Sequence, residues 1–170
     1  GTNDGVVAVN DSLAIAENAS GAALGGNVLS NDTLDPDYGE TTTVTGFSID
    51  ANGDGTAESY AAGSSVTVTT AAGTLGVFTL ASNGSYTFTP ANNYSGPIPV
   101  VTYTAASTAG DTATATLTIA VTPVSDAPAV TSDAATIHTP EDTAIALGLN
   151  APVVTDATDL NGSAAGDYPE

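Results

Sequence analysis

In the run SVTVTT (65–70), Val66 and Val68 fall on one side and Thr67 and Thr69 on the other. Successive side chains of a strand point to opposite faces, so this alternation gives a strand one dry face and one wet face. The runs TVTGFSI (43–49), TLGVFTL (74–80), SYTFTP (85–90), PVVTYTA (99–105) and TATLTIAV (114–121) share the β-branched and aromatic bias of half-buried strands. Tyr86 and Phe88 share a face, as do Leu117, Ile119 and Val121. Turn residues separate the runs at DANGDG, AAG (71–73), SNG (82–84) and STAGD (107–111). No window carries the 3.6-residue period of an amphipathic helix. With a first strand at 12–16 there are about seven short strands. They predict an all-β fold, an immunoglobulin-like antiparallel β-sandwich. Gly46, between Val44 and Phe47, interrupts its strand and predicts a bulge.

Charge narrows the partners. The 170 residues hold 19 carboxylates and no lysine or arginine, a formal net charge of −19. Nucleic acid is excluded, because phosphate binding runs on Lys and Arg. Anionic membrane surfaces are disfavoured for the same reason. Cations are the natural partners. High charge of one sign often signals disorder. Here the hydrophobic fraction is 41% and arrives in short alternating runs, so the chain can bury a core of Val, Ala and Thr with few aromatics. Cysteine is absent, which excludes disulfides and thiolate metal sites. No stretch is as long as a membrane span, and no signal-peptide pattern opens the sequence. The chain reads as a piece of a longer one. An enzyme is not expected: Trp is absent, so a sugar cleft lacks its stacking platforms, and no Ser or Thr has a credible base beside it. His138 is the one histidine and has no second ligand near it in sequence, so it reads as a packing or surface residue. Asn31-Asp32-Thr33 and Asn93-Tyr94-Ser95 match glycosylation acceptors, which would matter in a eukaryotic secreted protein. Tyr94 reads as a corner that anchors a long loop by packing.

The chain repeats itself. TNDGVVAVNDSLAI (2–15) lines up with VSDAPAVTSDAATI (124–137), matching Asp4 with Asp126, Asp11 with Asp133 and Ile15 with Ile137. After a two-residue shift Glu17 matches Glu141, Asp32 matches Asp156 and Asp35 matches Asp159. Residues 1–123 therefore form one complete module, whose repeat unit starts near Asp4. Residues 124–128 are a proline-stiffened linker within TPVSDAP, and residues 129–170 open a second β-sandwich module.

GNVLSNDTLDPD (26–37), SNGSYTFTPANNYSGP (82–97), VVTYTA (100–105) and TATLTIAVTPVSDAP (114–128) resemble the tandem extender repeats of giant RTX-type bacterial surface adhesins. These are cadherin-like or VCBS-like immunoglobulin modules exported by type I secretion. PEDTAIALGLNAPVVTDATDLNG (140–162) resembles the opening of a neighbouring repeat. The resemblance spans nearly the whole chain. It implies a non-catalytic extracellular spacer at a bacterial cell surface, in adhesion and biofilm formation, projecting a distal ligand-binding region. The alternative is a calcium-dependent module that itself binds a cell-surface sugar or peptide. Such a binder should carry an exposed, Tyr-bearing loop. The resemblance also implies Ca2+ at junctions between neighbouring repeats. Its ligands would be Asp126, Glu17 and Asp35 or Asp37, with Asp4 serving the preceding module and Glu141 standing for Glu17 in the second. The first module departs from the pattern at Glu17-Asn18, where the second keeps Glu141-Asp142.

Strand parity gives a parallel argument. With seven alternating strands, the 50–63 and 107–111 loops return to the N-terminal end, and the segment 18–43 lies at the far end. Glu17, Asp32, Asp35, Asp37 and Asp126 then converge, and such a cluster repels itself unless a divalent cation sits in it. The competing reading is a solvated acidic surface. An extra short strand at Val28-Leu29 would reverse the parity.

IDANGDGTAE (49–58) is a second candidate. Asp50, Asn52 and Asp54 stand two apart, Gly55 follows, and Glu58 closes the run. The spacing matches the start of an EF-hand loop, but position twelve is Ala61 and the flanks are strands. Two readings stay open: a partial calcium cage of three or four oxygen side chains, or a Gly-rich hairpin turn.

Overall fold

In a computed structural model the chain is described at residues 4–17, 19, 24–33, 39–125, 129–131 and 153–155. The alternating runs form the strands expected of them: β1 (Asp11–Ala16), β3 (Thr42–Ile49), β5 (Ser65–Thr70), β6 (Gly73–Leu80), β7 (Ser85–Pro90), β9 (Val101–Ser107) and β10 (Thr112–Thr122). Three short strands join them: β2 (Gly25–Asn27), β4 (Glu58–Ala61) and β8 (Gly96–Pro97). One sheet runs β1-β10-β9-β3-β4, with β8 also on β10; the other runs β2-β7-β6-β5. The two form a sandwich. Further along, β11 (Ala129–Thr131) pairs with β12 (Val153–Thr155). No helix among the described residues is long and apolar enough to cross a membrane.

The dry faces meet between the sheets. Val66, Val68, Tyr86, Phe88, Leu117, Ile119 and Val121 are all buried, on the faces that alternation assigns. Phe47 of one sheet meets Phe78 of the other edge-on, centroids 5.3 Å apart, and stacks on Tyr60 from its own sheet. Such pairs stabilise by about 1 kcal/mol each beyond burial. The bulge expected at Gly46 is present, as a register shift against β9 between Val44 and Gly46. A Cβ at Gly46 would stand 2.8 Å from the Tyr60 carbonyl oxygen, so only glycine lets β4 pair there. Tyr94 is the corner it was expected to be: buried, with its hydroxyl donating to the Pro97 carbonyl. Asn93 before it has φ of 56°, the only positive φ outside glycine among the described residues.

Strand direction differs from the parity argument. β1 pairs with β10 in parallel, β10 with β9 antiparallel, and β9 with β3 antiparallel. Hence β3 runs the same way as β1, and the 50–57 loop lies at the end where β1 and β10 finish, not at the N-terminal end. The cause is β2, an extra strand paired with β7 just before Val28. It reverses β3, and a second extra strand, β4, antiparallel to β3, restores the expected alternation after it. The 107–111 turn is at the N-terminal end as expected, with Asp111 close to Gly5. The parallel β1–β10 pair is also an exception to the expected all-antiparallel pairing.

The start of the chain is tied down by an isolated bridge between Val7 and Thr33, with N–H···O distances of 3.0 and 2.9 Å. At the offset that matches Asp4 with Asp126, Ala129 stands where Val7 does. Ala129 pairs with Thr155 in the β11–β12 ladder.

Candidate metal centre

The β3–β4 connection is built by side chains accepting hydrogen bonds from its own backbone. Asp50 Oδ1 accepts from Gly53 N–H at 2.7 Å and its Oδ2 from Gly55 N–H at 2.9 Å. Asn52 Oδ1 accepts from Asp54 N–H and Asp54 Oδ1 from Thr56 N–H, each at 2.8 Å. Glu58, in register opposite Ile49, accepts from Ala51 N–H through Oε2 at 2.8 Å. Asp and Asn favour such local contacts over a ladder, which is why strand pairing stops at Ile49. Ala51 is buried and fastens the loop to the opposite sheet: its carbonyl accepts from Thr69 N–H at 2.8 Å and Thr69 Oγ1–H at 3.1 Å. Gly53 has φ of 75°, and a Cβ there would stand 2.9 Å from Thr70 Cα. The loop is a turn, and being one does not exclude the metal reading, because its Asx contacts leave the carboxylates grouped.

One carboxylate oxygen from each of Asp50, Asp54 and Glu58 lies within 4.8 Å of the others. Ligands of one Ca2+ sit at 2.3–2.6 Å, so two of them can stand up to about 5 Å apart. The donor set is all oxygen, which suits a hard cation, and Asn52 adds an amide. The amide now bridges the acids: Asn52 Nδ2 donates to Glu58 Oε1 at 2.9 Å and Asp54 Oδ2 at 3.2 Å. The Asp54 carboxyl is held below the ordinary carboxylate range, first by Thr56 N–H and then by the Asn52 amide. It stays ionised and available to a cation. These three carboxylates are placed where they could hold a metal ion.

The other expected ligands do not join this group. Glu17 is buried, and its Oε1 accepts from Val124 N–H at 2.6 Å. Together with Glu17 N–H on the Thr122 carbonyl at 2.8 Å, it fixes how the chain leaves β10. Asp4 is exposed at the N-terminal end. Asp35, Asp37, Asp126, Glu141 and His138 lie outside the described residues. Asp32 is at the N-terminal end, opposite to where parity placed it: its Oδ1 accepts from Val9 N–H at 2.8 Å. It does not meet Glu17.

Sequence reasoning missed what Asp32 does meet. The Tyr103 side chain is fully buried, and its hydroxyl has Val28 O at 3.1 Å, Val9 O and Asp11 Oδ2 at 3.2 Å, and both Asp32 oxygens at 3.3 Å. Burial, then the charges of Asp11 and Asp32, push the Tyr103 hydroxyl far above its usual range, so it stays protonated. The Asp11 carboxyl is raised as well, first by desolvation, with Asp32 adding to it. A raised carboxyl is ionised in the fold at a cost, so its favourable contribution is present at acid pH and is lost as pH rises through the folded pKa. Asp11→Asn is therefore expected to raise the melting temperature near neutral pH. The gain should shrink as pH falls through the raised folded pKa and be gone below the ordinary carboxylate value. A variant that melts no higher than wild type at neutral pH would contradict this.

The described tyrosines are buried or half-buried: Tyr86, Tyr94 and Tyr103 lie in the core, and Tyr60 stacks on Phe47. The exposed, Tyr-bearing loop of a direct ligand binder is not among them. Comparison with known families matches the chain to the model of the bacterial cadherin-like domain over residues 3–123. No curated protein and no solved structure matches the chain.

Proposed function

This chain belongs to the bacterial cadherin-like domain family, and on that premise we propose that residues 1–123 are a spacer module of a secreted, RTX-type bacterial adhesin. Domains of this family are generally non-catalytic and usually sit in secreted or surface proteins. In this reading the module binds Ca2+ and hands its rigidity to the neighbouring repeat through the 124–128 linker. The observation that carries it is the loop that gathers Asp50, Asp54 and Glu58 within 4.8 Å in a chain without lysine or arginine. With no lysine or arginine in the sequence, a cation from the medium is the natural partner of that group.

Position supports the junction as well. The loop stands at the end of the sandwich where β10 delivers the chain to the linker. At that same end Glu17 holds Val124. We place a junctional Ca2+ on Glu17 and Asp126, with Asp4 serving the preceding repeat and Glu141 serving the next. The resemblance adds Asp35 or Asp37 to the set with Glu17 and Asp126.

Small-angle scattering of the full chain in calcium and in chelator tests this. Calcium should lengthen the particle and narrow its distance distribution, and Asp126→Asn should abolish the change. Identical profiles in calcium and chelator would sink the stiffening role.

A further inference from the structure

We propose that Asn52 is a self-modifying residue, whose side-chain amide this loop converts to a carboxylate through a succinimide. The chain holds three Asn-Gly pairs, Asn52-Gly53, Asn83-Gly84 and Asn161-Gly162. Glycine after asparagine leaves the following backbone nitrogen open to the side-chain carbonyl carbon. At Asn52 each group that must change is already held. The nucleophile is Gly53 N, and its hydrogen points at a carboxylate, Asp50 Oδ1, at 2.7 Å. The carbonyl that must take negative charge is Asn52 Oδ1, which accepts from Asp54 N–H at 2.8 Å, as an oxyanion donor would hold it. The leaving nitrogen is Asn52 Nδ2, set against Glu58 Oε1 and Asp54 Oδ2 on the solvent side of the loop.

The step balances. Gly53 N gives its proton to Asp50 and bonds to Asn52 Cγ. The Cγ–Nδ2 bond breaks, and the nitrogen leaves as ammonia after the proton returns to it through solvent. The five-membered imide then takes up one water. Opening at Cγ gives aspartate, and opening at the main-chain carbonyl gives isoaspartate. The net change is an amide plus water to a carboxylate plus ammonium, with no oxidant or cofactor.

Asn83-Gly84 is an internal control. Its Oδ1 also accepts from a backbone N–H, that of Ser85 at 3.0 Å. Its nucleophile differs: Gly84 N–H is spent on the Ala81 carbonyl at 3.0 Å, with no carboxylate to take the proton. The consequence at residue 52 is specific. The amide that bridges Glu58 and Asp54 becomes a fourth acid in the loop, and the donor between those two carboxylates is lost. The inference does not depend on the loop holding a metal.

The test uses the full chain, aged in warm chelator-containing buffer and cut by a glutamyl endopeptidase, since there is no lysine or arginine for trypsin. Peptide 41–58 contains Asn52 as its only amide side chain, so its mass gain is unambiguous. The folded chain should convert Asn52 several-fold faster than Asn83, and faster than the same chain does in urea. Asp50→Ala, which adds no amide to the peptide, should slow it several-fold. Equal rates at the two sites, or a faster rate in urea, would overturn the proposal. An undiminished rate in the Asp50 variant would overturn it too, and Asn52→Gln should remove the mass gain altogether.

Discussion

Calcium at about a hundredfold excess over its dissociation constant is expected to raise the melting temperature of this chain by about 10 °C, and magnesium by far less. A ligand at that excess which binds only the native state stabilises it by about 2.7 kcal/mol. In a domain of this size each kcal/mol moves the midpoint by about 4 °C. Selectivity follows from spacing. Mg2+ needs oxygens at 2.0–2.1 Å in a rigid octahedron and gives up its waters reluctantly. Carboxylates spread over 4.8 Å on a loop of small residues fit the larger, more tolerant Ca2+ sphere. Ionic strength must be matched across the three conditions, because salt alone relieves self-repulsion in a chain of charge −19. Glu58→Ala is the informative variant. It also strips Ala51 N–H of its acceptor, so it should start less stable in chelator. The diagnostic readout is the calcium increment, which should largely vanish. An increment that survives in Glu58→Ala would move the stabilising ion away from this loop. Equal melting in calcium, magnesium and chelator would mean that the acids are solvated surface.

Seven strands could be read from the sequence because each carries its own alternation, and a dry face leaves a period of two. The three that escaped within residues 1–123 have none to show. β2 is Gly25, Gly26 and Asn27, β8 is Gly96 and Pro97, and β4 is the largely polar ESYA. β2 mattered most despite its length, because one added strand reverses the direction of β3, until β4 restores it. That single omission put the 50–57 loop and Asp32 at the wrong ends. The loop chemistry itself was legible, since every contact among Asp50, Asn52, Asp54 and Glu58 spans no more than six residues. The Tyr103 cluster was not, because it joins residues 92 and 71 positions apart, and only the pairing of β1, β9 and β10 brings them together.

Tyr103→Phe is expected to cost about 2 kcal/mol, lowering the melting temperature by about 8 °C at neutral pH. Volume barely changes, so the cost is not a cavity. A phenol carries one hydrogen, and here it is shared among four groups: the Val9 and Val28 carbonyls and the carboxylates of Asp11 and Asp32. Asp32 keeps a second donor in Val9 N–H, and Asp11 keeps one in the Asn31 side chain. Removing the phenolic hydrogen leaves the two carbonyls facing carboxylates with nothing positive between them. A hydrogen bond to a charged group contributes about 1.5–3 kcal/mol, and buried acceptors left without a donor add to the loss. Acid separates this account from simple packing. Once Asp11 is protonated, its carboxyl carries the hydrogen that the phenol supplied. Because the Asp11 carboxyl is raised in the fold, that proton arrives above the pH at which an ordinary aspartate takes one. The gap between wild type and Tyr103→Phe should therefore narrow as pH falls into the carboxylate range. A gap that is constant from neutral to acid pH would mean that the hydroxyl merely fills space, and that Asp11 and Asp32 are held by the backbone alone.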